Sequence, residues 1–485
     1  MSANQQSDTN FTKQVKDLLN RIYGRSAVKD SLLDRAIEYF KEQPFYQQKV
    51  DNLNAQIEEC KEAQGDASMN KLFKLERELK DLKLDHKAQA SERYGVLLKI
   101  SEMVVALIEG DNFTDSVRKS AQVLGTIQLL SPAEGSKLAT IHEKYKPLYK
   151  AVLVIRLLDQ LCIDETVTLA NEHIQAHIGE ATGEEYKLLK SDNPSGYKQF
   201  IDNVKIPLIM SALLQDIGHF HPQAQEIITG PRGTEDPYRV LPVDDRKRLL
   251  QINYRETIQY LVDGIGVPNY IGNSKVERDK FNVEEHQKLI FIKMMLKTAI
   301  APKHGIGNLL KVPQIYTSIV LSTKSSFKYK LIPKVYQALY QNATHGTCCP
   351  KVVETMHQIT GDFPMGFGVT YIPFEPDGTH SETYEYAIVN QLYPEQSDAP
   401  SCRVATRNLT FIGHGPDMTI KPTENLYYVE TAKGFATISK ERLNEILELL
   451  ASNYQERKQL DLVPRCWIAS EFFFKKEYQK LWNKA

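Results

Sequence analysis

Cysteine is scarce in this 485-residue chain: six residues, at 60, 162, 348, 349, 402 and 466, with no Cys-x-x-Cys pair. The adjacent Cys348 and Cys349 cannot easily bridge to each other, so a disulfide framework is excluded and reduced thiols are expected. Excess charge of either sign is missing as well. With 60 basic and 61 acidic side chains the net charge is -1, which provides no global field to draw nucleic acid or an anionic membrane. No stretch approaches the roughly 20 consecutive apolar residues that a membrane span requires. The opening MSANQQSDTNFTKQVKD is polar and has no apolar core of a signal peptide. Repeats of fixed period and long low-complexity tracts are absent, which excludes a repeat architecture. A cytoplasmic chain with no membrane span and no nucleic-acid partner is the expectation. Its 42% apolar and 25% charged residues are those of a soluble globular protein, and its length calls for two or three domains.

What is present is helical periodicity. Residues 11 to about 150 place apolar side chains three and four apart with few β-branched runs. Val50, Leu53, Ile57 and Cys60 make one a/d stripe; Leu72, Leu75, Leu79 and Leu82 make a second; Gln64-Gly-Asp-Ala-Ser68 breaks the chain between them. This pattern predicts an antiparallel coiled-coil hairpin over about 48–92 within a helical region 1–150, serving either as a packing spacer or as a partner-binding arm. The helical pattern continues through 151–365. Beyond it the segments 366–374, 384–389, 402–407 and 426–431 are short, β-branched or aromatic, and bounded by turn residues. They predict a small antiparallel β unit within 366–485, followed by an amphipathic helix with Leu443, Ile446, Leu447 and Leu450 on one face. The fold class is therefore mainly α, with a small β extension and a C-terminal helix.

The stretch SALLQDIGHFH, residues 211–221, runs from an apolar helix end into a polar turn. Its Leu-Leu-Gln-Asp-Ile-Gly-His resembles the leucine-rich helix end and His-Asp-Ile-Gly-Lys of the HD-GYP family, metal-dependent phosphodiesterases of the HD superfamily that cleave cyclic di-GMP. Further segments follow in the family's order. Leu241 to Leu261 is similar to its next helix, with the ligand histidine at Asn253. Lys303-His-Gly-Ile-Gly-Asn-Leu309 keeps two glycines of the family's Asp-Gly-x-Gly-Tyr-Pro loop, the paired histidines upstream falling at Ala299 and Ile300. Ser318-Ile-Val-Leu-Ser-Thr-Lys324 is similar to the helix whose aspartate would be at Thr323. Pro350-Lys-Val-Val and Gly361-Asp-Phe-Pro-Met-Gly-Phe-Gly-Val369 match the family's ending.

The resemblance implies an all-α HD-like domain at 151–365 whose metal ligands are largely gone. Of the ligand positions only Asp216 keeps its type; the others are Gln215, Asn253, Ala299, Ile300 and Thr323, and the family's phosphate-contacting lysine is His219. Amides hold a divalent cation weakly and hydrocarbon side chains not at all, so no catalytic residue and no cofactor is expected. Gln215 and Asn253 are instead expected to hydrogen-bond across the former cation space, and Asp216 to tie the helix end through backbone amides. A rival arrangement is a relocated iron or manganese centre from His173, His177, Asp216 and His221, since His173 and His177 share a helix face; paired histidines of that spacing also occur on plain solvated surfaces. His304 is a further imidazole beside the Gly-x-Gly turn.

Two weaker signals remain. Arg403-Val-Ala-Thr-Arg407 followed by Asn408-Leu-Thr-Phe-Ile-Gly413 resembles the arginine and Asn-x-Ser-x-x-Gly elements of PilZ cyclic di-GMP receptors, although a plain β-strand explains it too. Arg232 in Gly230-Pro-Arg-Gly233 is either an anion contact or a surface loop residue. The functional expectation is a non-catalytic signalling or scaffold protein that senses a cyclic dinucleotide or binds a protein partner. The alternatives are a metal-dependent phosphodiesterase with rearranged ligands and a structural adaptor acting through the hairpin.

Overall fold

The i, i+3, i+4 spacing of apolar residues builds helix almost everywhere before residue 361. The computed structural model describes residues 8–24, 30–62, 66–164, 171–179, 181–302, 305–375, 377–435, 438–450 and 463–482. Its helices are α1 (Asn10–Tyr23), α2 (Leu32–Glu62), α3 (Asp66–Ile108), α4 (Phe113–Leu130), α5 (Leu138–Asp164), α6 (Glu172–Ile178), α7 (Gly183–Asp192) and α8 (Pro194–Phe200). These are followed by α9 (Ile206–Leu214), α10 (Pro222–Thr229), α11 (Val243–Gln259), α12 (Lys275–Thr298), α13 (Asn308–Val320), α14 (Val335–Thr344) and α15 (Pro350–Thr360). The chain is thus mainly helical, with a small antiparallel sheet and C-terminal helices after it. No described helix is long and apolar enough to cross a membrane.

Two compact units make up the chain. One comprises Met1–Leu19, Val104–Lys198 and Thr298–Ala485, the other Asn20–Met103 and Gln199–Lys297. Segment 151–365 therefore contributes residues to both.

The first unit is organised around α5. Leu148 to Leu158 is buried on every face, which an amphipathic surface helix would not tolerate. Helices α4, α7, α13 and α15 pack against it. Two charged side chains, Lys150 and Arg156, are buried in this run; Arg156 is fully buried, and its Nη2 meets Glu109 Oε1 at 3.0 Å and Asp159 Oδ2 at 2.7 Å. Tyr197 donates to Glu109 at 2.7 Å and Tyr186 to Asp159 at 2.5 Å, so the buried carboxylates are also hydrogen-bonded.

Pro350 opens α15, where its missing N–H is harmless, and Gly361, at φ 61°, ends it as a left-handed cap. Strands β1 (Gly368–Tyr371), β2 (Glu385–Val389), β3 (Ser401–Val404), β4 (Thr406–Arg407), β5 (Thr410–Phe411) and β6 (Asp417–Thr419) follow. A four-stranded antiparallel sheet has the order β1-β2-β3-β6, with Val369 opposite Ala387, Ile388 opposite Arg403 and Cys402 opposite Met418. The strand expected at 426–431 does not form. Tyr427 and Tyr428 pack their rings 5.2 and 6.2 Å from Phe363, and the chain enters α16 (Val429–Phe435), so Asp417–Thr419 supplies the fourth strand. Pairing with β1 stops at one antiparallel bridge, Tyr371 with Asn425, flanked by the Leu426 amide donating to the Thr370 carbonyl at 2.9 Å. Leu443, Ile446, Leu447 and Leu450 are buried on α17 (Lys440–Leu450), as their spacing predicts, and α18 (Ser470–Phe473) comes last.

The second unit contains the hairpin. Leu53, Ile57 and Cys60 of α2 pack with Leu72, Leu75, Leu79 and Leu82 of α3, an antiparallel a/d seam. Gln64 and Gly65 of the break lie outside the described residues. Nearer the base, Tyr39 donates to Asp263 Oδ2 at 2.7 Å, and His86 Nε2 stands 3.1 Å from Asp263 Oδ1. Burial works to raise the Asp263 pKa, but the His86 and Tyr39 hydrogen bonds, with the charges of His86 and Arg93, outweigh it and hold it below the usual carboxylate range. A depressed folded-state pKa means stability that is complete above the unfolded value, about 3.9, and is lost as pH falls through the folded one. Asp263→Asn is expected to cost about 1–2 kcal/mol near neutrality, the side chain being partly exposed. It should also flatten the decline in stability below about pH 4. Urea unfolding from pH 7 to pH 3 measures both.

Candidate functional site

Nine consecutive apolar or small residues make α9, and every one of them is buried. The helix must end where polar residues begin. Gln215 and Asp216 leave it, Asp216 at φ -113° and ψ 13°, and Ile217–Phe220 form one 3-10 turn. His221 then caps α10: its Nδ1 accepts from the Gln223 amide at 3.2 Å, ahead of Pro222 at the first helical position.

This turn packs directly on α11. Gly218 donates its amide to Thr257 Oγ1 at 3.1 Å, and the Asn253 amide donates to the Gln215 carbonyl at 3.1 Å. A Cβ at Gly218 would collide with the Asn253 backbone carbonyl, so only glycine permits this approach. The expected pairing of two side-chain amides is not formed: Asn253 reaches the main chain of Gln215, while Gln215 Oε1 and Asn253 Oδ1 are both buried without partners. Asp216 places no side-chain cap on the 3-10 turn. Its carbonyl, accepting from the His219 amide at 3.2 Å, closes the turn, and its carboxylate makes no capping bond there.

His219 Nε2 is buried without a partner. His221 Nε2 stands 3.7 Å from Glu256 Oε2, and its ring meets Phe40 edge-on at 5.5 Å. Burial lowers the His221 pKa; Glu256 opposes this and Arg255 adds to it. With Nδ1 accepting from Gln223, the neutral ring carries its proton on Nε2, toward Glu256.

Gln215, Asp216, His219, His221 and Asn253 belong to the second unit, and His173, His177, Ala299, Ile300 and Thr323 to the first. Ala299 and Ile300 follow the end of α12, and Thr323 lies in the irregular chain after α13 rather than on a helix. His173 and His177 do share a face of α6, with ring centroids 5.0 Å apart and His177 Nδ1 2.8 Å from the His173 carbonyl. Lys303 and His304 lie outside the described residues. Gly307 of the same loop presses on the Thr298 backbone, and Asn308 Oδ1 accepts from the Cys349 amide at 2.8 Å. Among the described residues, no three of His, Cys, Asp or Glu gather as a metal-holding group.

Of the two arginines, Arg407 is exposed and Arg403 has an internal role. Arg403 is buried and forks onto Asp417 at 2.6 and 3.2 Å. Asn408 and Leu409, at φ 49° and 58°, make a two-residue hairpin loop between β4 and β5. Arg232 is exposed in its loop. The sequence reading missed Thr257 and Glu256; the i, i+4 relation of Asn253 to Thr257 was the available sign that both face the turn. No family model, curated protein or solved structure matches the chain.

Filling the closest approach tests this geometry. Gly218→Ala is expected to destabilise by about 2–3 kcal/mol, because a backbone carbonyl cannot move aside as a side chain can. Urea unfolding checks it, with exposed Gly233→Ala as the reference for conformational strain alone.

Proposed function

We propose that this chain is a non-catalytic signalling or scaffold protein, related to the HD-GYP proteins, that holds a cyclic dinucleotide or a protein partner without turning substrate over. The observation that carries the reading is the contact between the Gly218 turn and Asn253 of α11. Where a hydrolase of that family needs imidazole and carboxylate around bound metal, this turn supplies a backbone carbonyl and amides. Without a metal-activated hydroxide the site offers no evident nucleophile for a phosphodiester. The test is incubation of purified chain with cyclic di-GMP, with and without manganese or iron, following binding by calorimetry and hydrolysis by chromatography. Saturable binding without linear product is the expected result. Stoichiometric bound metal with turnover, both lost in His173→Ala or Asp216→Ala, overturns the reading in favour of a metal-dependent phosphodiesterase.

A second reading, a structural adaptor acting through the hairpin, is favoured by a separate observation. Met69 and Phe73, one turn apart on α3, are 69% and 72% exposed near the closed end of the seam. Replacing both with serine should abolish partner binding under this reading and leave the dinucleotide titration unchanged.

A further inference from the structure

A buried hydrogen-bonding atom without a partner is uncommon in a folded protein and points to strain, a water or a ligand. Three such atoms in the second unit share one location and one chemistry. Arg93 on α3 is 5% exposed; its Nε donates to the Gly264 carbonyl at 2.5 Å, while its Nη2 has no partner. No described carboxylate stands within ion-pair distance of it. Arg35 on α2 contacts Glu92 through Nη1 at 3.1 Å, and its buried Nε is unpartnered. The third atom is the hydroxyl of Tyr260, a residue with 0% exposure at the turn following α11.

Tyr39 is their common wall. The Arg93 guanidinium lies 5.2 Å from its ring centroid, the Tyr260 ring lies 5.2 Å away, and Arg35 is one helical turn earlier on α2. Gly264 packs against the Tyr260 ring, where a Cβ would collide; the missing side chain lets its carbonyl reach Arg93. Asp263 does not neutralise the guanidinium at contact, because its two oxygens face Tyr39 and His86.

We propose that Arg93, Arg35 and Tyr260 form a binding site for a small oxyanion, a phosphate or a phosphoryl group. Water would satisfy the donors but bring no negative charge to a guanidinium that has no carboxylate at contact, whereas an oxyanion supplies both. Burial raises the Tyr260 pKa more than the Arg93 and Arg35 charges lower it, so the hydroxyl stays protonated and donates. Arg35 is the partly exposed member. Its contact with exposed Glu92 is a weak surface pair that an incoming anion readily replaces. This inference does not rest on the proposed function, because none of its residues belongs to the Gly218 turn.

The test is equilibrium dialysis of the full chain against radiolabelled inorganic phosphate at fixed ionic strength, paired with thermal unfolding. One phosphate per chain is expected, with affinity reduced about tenfold or more in Tyr260→Phe and in Arg93→Gln. The phosphate-free unfolding midpoint of Tyr260→Phe should equal or exceed that of the unmodified chain, since the variant removes an unpartnered hydroxyl. Lost binding in that variant is then not lost folding. Displacement of bound phosphate by cyclic di-GMP assigns the oxyanion to a phosphodiester, and its retention assigns a free phosphate; both uphold the site. Binding that is absent, or unchanged in both variants, or a midpoint rise that chloride at equal ionic strength reproduces, overturns it.

Discussion

The approach of Gly218 to the Asn253 carbonyl governs the candidate site, because it brings two main chains to a distance that leaves no room for a Cβ. Around it the remaining bonds fall into place: the Gly218 amide takes Thr257, the Asn253 amide takes the Gln215 carbonyl, and α9 stops against α11. A divalent cation would need imidazoles and carboxylates pointing inward across an open space. Here Asn253 points its amide at a main-chain carbonyl. The chemistry of the turn follows from its packing, and the packing follows from one glycine.

Buried polarity is handled in contrasting ways within the two units. In the first, Arg156 stands in a helical run buried on every face and is matched by Glu109 and Asp159, whose oxygens also take tyrosine hydroxyls. Removing any member of that set would strand a charge, so the network fixes α5 against its neighbours more than it adds net stability. In the second unit Arg93 has a carbonyl and an aromatic face but no carboxylate at contact. The difference is one of counter-charge at contact, and it is visible only as a pattern of partners.

Several features were readable from residue spacing. The hairpin seam from Leu53 to Leu82 was legible because an a/d stripe has one way to bury itself, against a facing stripe. The C-terminal amphipathic helix and strands β1 to β3 were legible for the same reason: periodicity reports which face is apolar. The segment Leu426 to Thr431 misled because aromatic residues suit both a ladder and a ring cluster, and Phe363 was the deciding neighbour. Asp216 misled in another way. A carboxylate at a helix end usually caps, but here the carbonyl of the same residue closes the turn.

The sequence by itself determined the mainly helical class and the hairpin, since these depend on residue identity and local period alone. Only the tertiary structure decided that the expected ligand positions divide between two compact units, that Asn253 bonds main chain rather than side chain, and that Arg35, Arg93 and Tyr260 converge. Those three come from helices far apart in the chain, and no local pattern encodes which distant side chains will share a buried space. Long-range packing sets the partners, and the partners set the chemistry.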